Sequence, residues 1–562
     1  MSNVLWYNQF VDDWNYALPL GNGRVGAMVY GNPNREVIEI NEESLWNGGP
    51  LVEKHQMTPE ILKEVRRLIF DGEIQRAKEI CYEKMFARPY RIRSYEAFGE
   101  LFINFHTSEK YADYRKQLDL EKALCSVFWT ADGKKFESES FVSEAYDVLV
   151  YRVRCDCIFS CDVGFLRERD ARVTAEGDTL YVDGRLTYEE DEKCGAGGVG
   201  ISFGAQIKVQ TDGVITANER VLSVTGATYL LLYGAFRTNY DVETFAFDEK
   251  KDYKASLSVD LNGVIEKDYE EVKAQHYLDH AKWFGGTSLR IDCPDYSALP
   301  TDVRLQAVKD GRRDDYGLYA LHFQYGRYLL IESSGKNATL PANLQGIWCH
   351  GLNPPWQSDY HMNINLQMNY WHAESCGLQG AVLPLVHFVK MLSVFGKDTA
   401  ENVYFSKGWT LNSTTDIFGK TGLHDRISCG IFPIAGAWMC LPLLEHYEYT
   451  ADEEYLKEIY PVLKGACDFI CGYLTPWGDY LVTNPSGSPE NYYKLKKSDE
   501  ENVQLLTYGA TIDGQIIYDL FTKMRVVSQK MDDAETNTSV ERVLAKLPAH
   551  KNWLWKKYCK YP

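Results

Sequence analysis

The chain has 562 residues, 45% of them hydrophobic and 25% charged, which is the composition of an ordinary globular protein too long for a single core. Its formal net charge of −19 argues against nucleic acid or an anionic membrane as a partner, because neither rewards a negative surface. No apolar run reads as bilayer-spanning, the N-terminus lacks the basic and apolar regions of a signal peptide, and the 14 cysteines are scattered, so the expectation is a cytoplasmic protein with reduced thiols.

Residues 1–265 read as β. Ile201, Phe203, Ala205, Ile207 and Val209 alternate with smaller or polar residues before a turn at Gln210–Gly213. Asp147–Val153, Thr179–Val182 and Tyr229–Phe236 look like further strands, and the whole suggests a large antiparallel sandwich. One helical insertion is expected over Thr58–Met85, where Ile61, Val65, Ile69 and Ile74 recur. Gly21-Asn-Gly23-Arg-Val-Gly26 matches the dinucleotide-binding pattern. Gly31 follows too soon for the helix that would hold a pyrophosphate, so a glycine hairpin is the better account. Cys155-Asp-Cys157 with Cys161 could belong to a metal site. No second pair stands at zinc-site spacing, which favours buried strand thiols.

A linker is placed at 266–305, with a charged amphipathic helix over Lys267–Trp283 and a short strand at Ser288–Ile291. From residue 306 the period turns helical. Helices are expected over Leu318–Ile331, from about Leu366, and over Ala381–Phe395, Ile434–Tyr449, Glu454–Leu474, Ala510–Met531 and Ala534–Leu547. Polar loops return between them, which suggests a toroid of helical hairpins with a site at one end. After Pro548 the tail Ala549–Pro562 alternates aromatics and lysines without the period of either a helix or a strand.

One stretch is dense in ligand-type residues: Asn343-Leu-Gln-Gly-Ile-Trp348, then Trp356-Gln-Ser-Asp359-Tyr-His361-Met-Asn363-Ile-Asn365-Leu-Gln-Met-Asn369-Tyr-Trp-His372. Amides and carboxylates satisfy hydroxyl groups, and Trp faces cover the C–H faces of a sugar ring. If the stretch is extended, the amides share one face; if it is helical, Asn365, Asn369 and His372 do. The plainer reading is a polar loop capping a helix. Glycoside hydrolysis needs a proton donor and an activated water or nucleophile. The candidate carboxylates are Asp359, Glu374, Asp416, Glu445 and Glu490. Glu490 lies in the turn-rich loop Asn484–Tyr493, where Tyr492 and Tyr493 could exclude water and keep it protonated; the alternative is an exposed loop residue. Trp438 is a sugar platform or, more simply, a core helix residue, and Asp416 reads as a turn cap. His350, His361 and His372 read as hydrogen-bonding residues rather than metal ligands, and no metal or cofactor is expected.

Several motifs together resemble glycoside hydrolase family 95, the inverting α-L-fucosidases and their α-L-galactosidase relatives. They are Trp14-Asn-Tyr-Ala-Leu-Pro-Leu-Gly-Asn-Gly-Arg-Val-Gly-Ala-Met28, Ile40-Asn-Glu-Glu-Ser-Leu-Trp46, Phe323–Ile331, Pro341–Trp348, His361–Trp371 and Ser488-Pro-Glu490. The resemblance implies an N-terminal antiparallel β super-sandwich over 1–265, the helical linker over 266–305, and an (α/α)6 barrel, incomplete here, over 306–562. It implies Glu490 as general acid, Asn363 and Asn365 as holders of the attacking water, and His361 and Trp438 as sugar-binding positions. Trp356, Asp359 and Asn369 are further substrate-binding candidates from the ligand-rich stretch. The expected partner is an oligosaccharide with terminal 1,2-linked α-L-fucose. The family's aspartate that makes the asparagines basic has no counterpart in these residues, and Leu411-Asn-Ser413 stands where the family usually has histidine. The chain is therefore expected to be truncated, and the alternative function is an inactive fucoside-binding remnant.

Overall fold

The computed structural model describes residues 3–494 and 503–548; the tail Ala549–Pro562 lies outside them. The N-terminal half is built on a 14-stranded antiparallel sheet. The strand Val148–Leu166 joins its parts: its first half pairs with Lys134–Ser143 and its second with Gly99–Phe105. Its other edge carries Val221–Thr238, whose register shifts around Val224, Ala227 and Tyr229. Bulges of this kind bend a strand and increase its twist, letting the sheet curl over a core. Ile201, Phe203, Ala205, Ile207 and Val209 are all buried in the strand Gly198–Thr211, as their alternation requires.

The Gly21–Gly26 motif is a hairpin joining Leu18–Gly21 to Val25–Val29. Gly21 and Gly23 both donate backbone N–H groups to Glu332, one to its carboxylate and one to its carbonyl, each at 2.8 Å. Gly23 has φ +96°, and a Cβ on it would sit 2.7 Å from the Ala338 nitrogen. The glycines thus seat the sheet against the helix Gly317–Ser334.

Several elements differ from expectation. The insertion is two helices, Pro59–Asp71 and Ile74–Ile80, separated by Gly72 in the left-handed conformation and followed by a wide turn over Cys81–Met85. Residues 1–265 also contain the helix Tyr253–Asn262. The expected strand at 288–291 does not form, since no segment among the described residues pairs with it, and the helix Thr301–Lys309 follows instead. Gln379–Asn402 and Ile427–Thr450, 24 residues each, are long and apolar enough to span a bilayer, which corrects the sequence reading; both pack into the core, with 50% and 72% of their most apolar windows buried. Cys155 and Cys157 lie on a strand but are not buried; Cys157 is exposed.

The helical half runs through Gly317–Ser334, Asn365–Tyr370, Leu383–Asn402, Ala435–Thr450, Glu453–Tyr473, Thr511–Lys530 and Ala534–Leu544. The last four form two antiparallel hairpins that pack side by side. One apolar core continues from sheet residues such as Leu20 and Val25 into helix residues such as Tyr328 and Leu443. Trp46 of the β half stacks on Tyr360 at 5.5 Å and 13°. Glu43 accepts the backbone N–H groups of Thr339 and Leu340, and burial pushes its pKa up to about 8. These contacts fix the start of the ligand-rich stretch.

Candidate active site

The ligand-rich stretch is part strand, part turn and part helix. Tyr360–His361 pairs with Thr414–Thr415, and the Met362 N–H reaches the Ser413 carbonyl at 2.7 Å. Ile364, at φ −179° and ψ −40°, breaks the chain before the helix Asn365–Tyr370. The alternating amides therefore do not share a face. Asn363 falls on the strand side of the break and Asn365 opens the helix.

Glu490, Asn363, His361 and Trp356 line one cleft of about 300 Å³, at the lower end of the roughly 300–1,000 Å³ usual for small-molecule sites. Trp356 stands on its rim, 70% exposed. It begins a run of three left-handed residues, with φ 50° at Trp356, 58° at Gln357 and 49° at Ser358. Such residues cost about 1–3 kcal/mol each and persist only where the surroundings enforce them. Here the Tyr95 N–H binds the Gln357 carbonyl at 3.0 Å, and the Ser358 hydroxyl binds Asn343 Oδ1 at 3.0 Å. Asn343 of the Asn-Leu-Gln-Gly motif is thus a brace for this turn.

His361 is paired through Nδ1 with the buried Asp359. Burial opposes a charge on the imidazole, but the hydrogen bond and charge of Asp359, helped by Glu490 and Asp425, outweigh it and hold the His361 pKa above its ordinary value. Asp359 is thereby a partner of His361 rather than a lining residue. Asn363 is 7% exposed, and its amide oxygen is buried without a hydrogen-bond partner among the described residues. An orphaned acceptor costs about 1–3 kcal/mol and calls for a functional explanation.

Two side chains of the β half support this side of the cleft: Arg91 lines it, and Glu53 holds the lining residue His424. Glu53 pairs with His424 at 2.5 Å and accepts the N–H groups of Thr421 and Gly422. Burial would raise its pKa, but His424 and these donors hold it below the usual range. Arg91 meets Asp425 at 3.2 Å on the cleft surface. Sequence reading missed Arg91, His424 and Asp425. The signals were the basic run Arg88-Pro-Tyr-Arg-Ile-Arg93 in an acidic chain and the glycine-rich polar turn Gly419–Arg426.

Other expectations need correction. Asn365 is half-buried and is not among the residues lining the cleft. Asn369 donates to the Asn343 carbonyl at 3.1 Å and lines a different cavity with His372 and Trp14, because the helix turns it away from Asn363. Trp438 packs edge-on against Phe432 as a partly buried core residue, outside the cleft lining. Tyr492 is 67% exposed and walls nothing off, and Glu490 itself is exposed. Glu374 is spent in a buried pair with His446 at 2.6 Å, and Glu445 lies outside the cleft lining. Asp416, by contrast, caps its own turn as expected, accepting the Phe418 N–H at 2.9 Å and pairing with Lys420 at 2.7 Å. Among the described residues no group of three or more His, Cys, Asp or Glu side chains is arranged to hold a metal ion.

Residues 268–553 match the family model described as the glycosyl hydrolase family 95 catalytic domain. The chain belongs to glycosyl hydrolase family 95. Ahead of this family 95 region, residues 5–243 match the model of the glycosyl hydrolase family 65 N-terminal domain. Among curated relatives, Alpha-L-fucosidase 2 of Arabidopsis thaliana is 32% identical over 571 positions, covering 95% of this chain and 66% of that protein. An Aspergillus niger protein named Probable alpha-fucosidase A is 30% identical over 546 positions, covering 92% and 65%. The chain thus spans about two thirds of the length of the curated relatives it matches. A solved structure named as a kojibiose phosphorylase from human microbiome aligns with TM-score 0.61 at 10% identity, covering 97% of this chain and 70% of that one. That likeness concerns the fold: an N-terminal antiparallel β region followed by paired helices of the (α/α)6 type.

Proposed function

We propose that this family 95 chain is a glycoside hydrolase that removes terminal α-L-fucose from oligosaccharides, acting on 1,2-linked fucose with inversion. The observation that carries the reading is one cleft shared by Glu490, Asn363, His361 and Trp356, in a chain whose curated relatives are named fucosidases. Each residue has a role that fits its chemistry. Glu490 gives its proton to the glycosidic oxygen as the bond to the anomeric carbon breaks. Asn363 turns its unpaired amide oxygen to a water that attacks the opposite face, and the proton that water sheds passes to solvent in the open cleft. His361, whose pKa Asp359 holds above its ordinary value, donates a ring N–H to a sugar hydroxyl. Trp356 covers a C–H face of the ring at the rim. Entry of the sugar supplies the desolvation of Glu490 that the open cleft lacks. The cytoplasm is the compartment we propose, on the scatter of the 14 cysteines along the sequence.

A second reading is a chain that binds fucosides without turnover. Asn363 favours it: an amide is not a base, and its buried oxygen has no partner among the described residues. Fucose release from 2′-fucosyllactose by the purified chain, beside Glu490→Gln, tests both. The hydrolase reading expects a fall of about 10²–10⁴-fold in kcat for the variant. Equal rates would refute the role of Glu490, and binding with no release by either protein would favour the second reading. The matching α-L-galactosyl substrate separates fucose from galactose preference.

A further inference from the structure

The loop bearing Glu490 is held from the β half as well as from the helical half. Residues Thr483–Gly487, which lead into Glu490, are gripped from three sides. Arg66, on the insertion helix Pro59–Asp71 of the β half, donates Nε to the Asn484 carbonyl at 2.9 Å and Nη2 to the Tyr473 carbonyl at 3.0 Å. Asn484 answers by donating its side-chain amide to the Arg66 carbonyl at 3.1 Å. The guanidinium lies 5.5 Å from the Tyr473 ring centre, and the Tyr473 hydroxyl binds the Pro485 carbonyl. From below, the buried Asp513 accepts the hydroxyls of Thr483 and Ser486, each at 2.6 Å. Beside it, Ser486–Gly487 pairs with Leu506–Thr507. Asn484 is fully buried, so its backbone has no alternative partner in water.

We infer that Arg66 is a positioning residue: the insertion helix of the β half clamps the Asn484–Pro485 backbone and so aims Glu490 into the cleft. The inference rests on the proposed role of Glu490. The reasoning is geometric. Three residues separate Gly487 from Asn491, whose N–H turns back to the Ser488 carbonyl at 2.6 Å, so the tip has little freedom once its base is fixed. Release of the base moves the carboxyl, and a displacement near 1 Å costs a catalytic group about 10²-fold.

Leaving-group dependence tests this. A misaimed acid slows departure of a sugar oxygen, which needs the proton, and spares departure of fluoride, which needs little help. Arg66→Met is expected to lower kcat on 2′-fucosyllactose by about 10²-fold with KM held, while α-L-fucosyl fluoride is turned over at nearly the wild-type rate. Arg66→Lys, which keeps the charge but loses the two-pronged donor, is expected to fall between. Amide hydrogen exchange, which needs no turnover, should quicken in 484–493 and stay unchanged in 360–371. Equal losses on both substrates, or unchanged exchange in 484–493, would overturn the clamp. Glu490→Gln is run alongside. If it lacks the leaving-group signature, the role of Glu490 fails, and the exchange data then decide the clamp alone. If it has the signature and Arg66→Met does not, only the clamp fails. Should Arg66→Met not fold, Arg66→Lys carries the same comparisons.

Discussion

Asp513→Asn should change how stability depends on pH. Asp513 sits in the first turn of the helix Thr511–Lys530, buried, with two hydroxyls on one oxygen and no partner on the other among the described residues. Burial pushes its pKa from 3.8 up to about 6, against the opposing pull of Ser486 and Thr483. The folded state therefore binds the proton more tightly than the unfolded chain. Stability is greatest while the group is protonated in both states, falls as pH rises from the unfolded pKa, and levels off above the folded one. At about 1.36 kcal/mol per unit, a shift of roughly two units corresponds to about 3 kcal/mol. Asparagine has no proton to lose, and its amide oxygen can accept the same hydroxyls. The variant should therefore gain on the wild type by up to about 3 kcal/mol as pH goes from about 4 to about 8. Urea unfolding of both proteins across that range measures the difference directly, and pairing them cancels the contributions of other buried carboxyls such as Glu43. A difference that stays flat with pH, or one that moves against the variant as pH rises, would refute the reasoning.

Asn363→Ala removes an amide whose oxygen has no partner among the described residues, so it should leave the melting temperature nearly unchanged while cutting kcat by about 10²-fold or more, read by fucose release. Trp356→Ala should raise KM by about 2–13-fold, the equivalent of 0.5–1.5 kcal/mol of aromatic contact, with little change in kcat or in the thermal melt. Gly23→Ala places a Cβ 2.7 Å from a backbone nitrogen at φ +96° and should destabilise by at least about 2 kcal/mol in the same urea assay.

Local pattern carried much of this architecture and little of the site's closure. Five alternating residues from Ile201 to Val209 announce a strand because only one face of it meets the core. The helices Gly317–Ser334 to Ala534–Leu544 follow from their apolar period, with ends displaced by a few residues. The glycine pattern at 21–26 was legible as a hairpin, although its close approach to Glu332, some 300 positions away, was not. The site divided in the same way. Asn363, His361, Trp356 and Glu490 lie in turn-rich polar stretches and do converge. Asn365 and Asn369 diverge from them because one backbone break at Ile364 changes the period, and no neighbouring residue type forces that break. Arg91 reaches the cleft, and Glu53 its lining residue His424, across more than 300 residues of sequence, a relation that local periodicity does not encode.

That reach has a practical consequence for anyone cutting or grafting this protein. A boundary drawn where the hydrolase domain begins, at residue 268, leaves the cleft without Arg91 and His424 without the carboxylate of Glu53. Chimeras between relatives should inherit residues 53–91 together with the helical half they touch. Conversely, exchanging residues 53–91 replaces both insertion helices, and so alters the Arg91 wall of the cleft and the Arg66 grip on the Glu490 loop together.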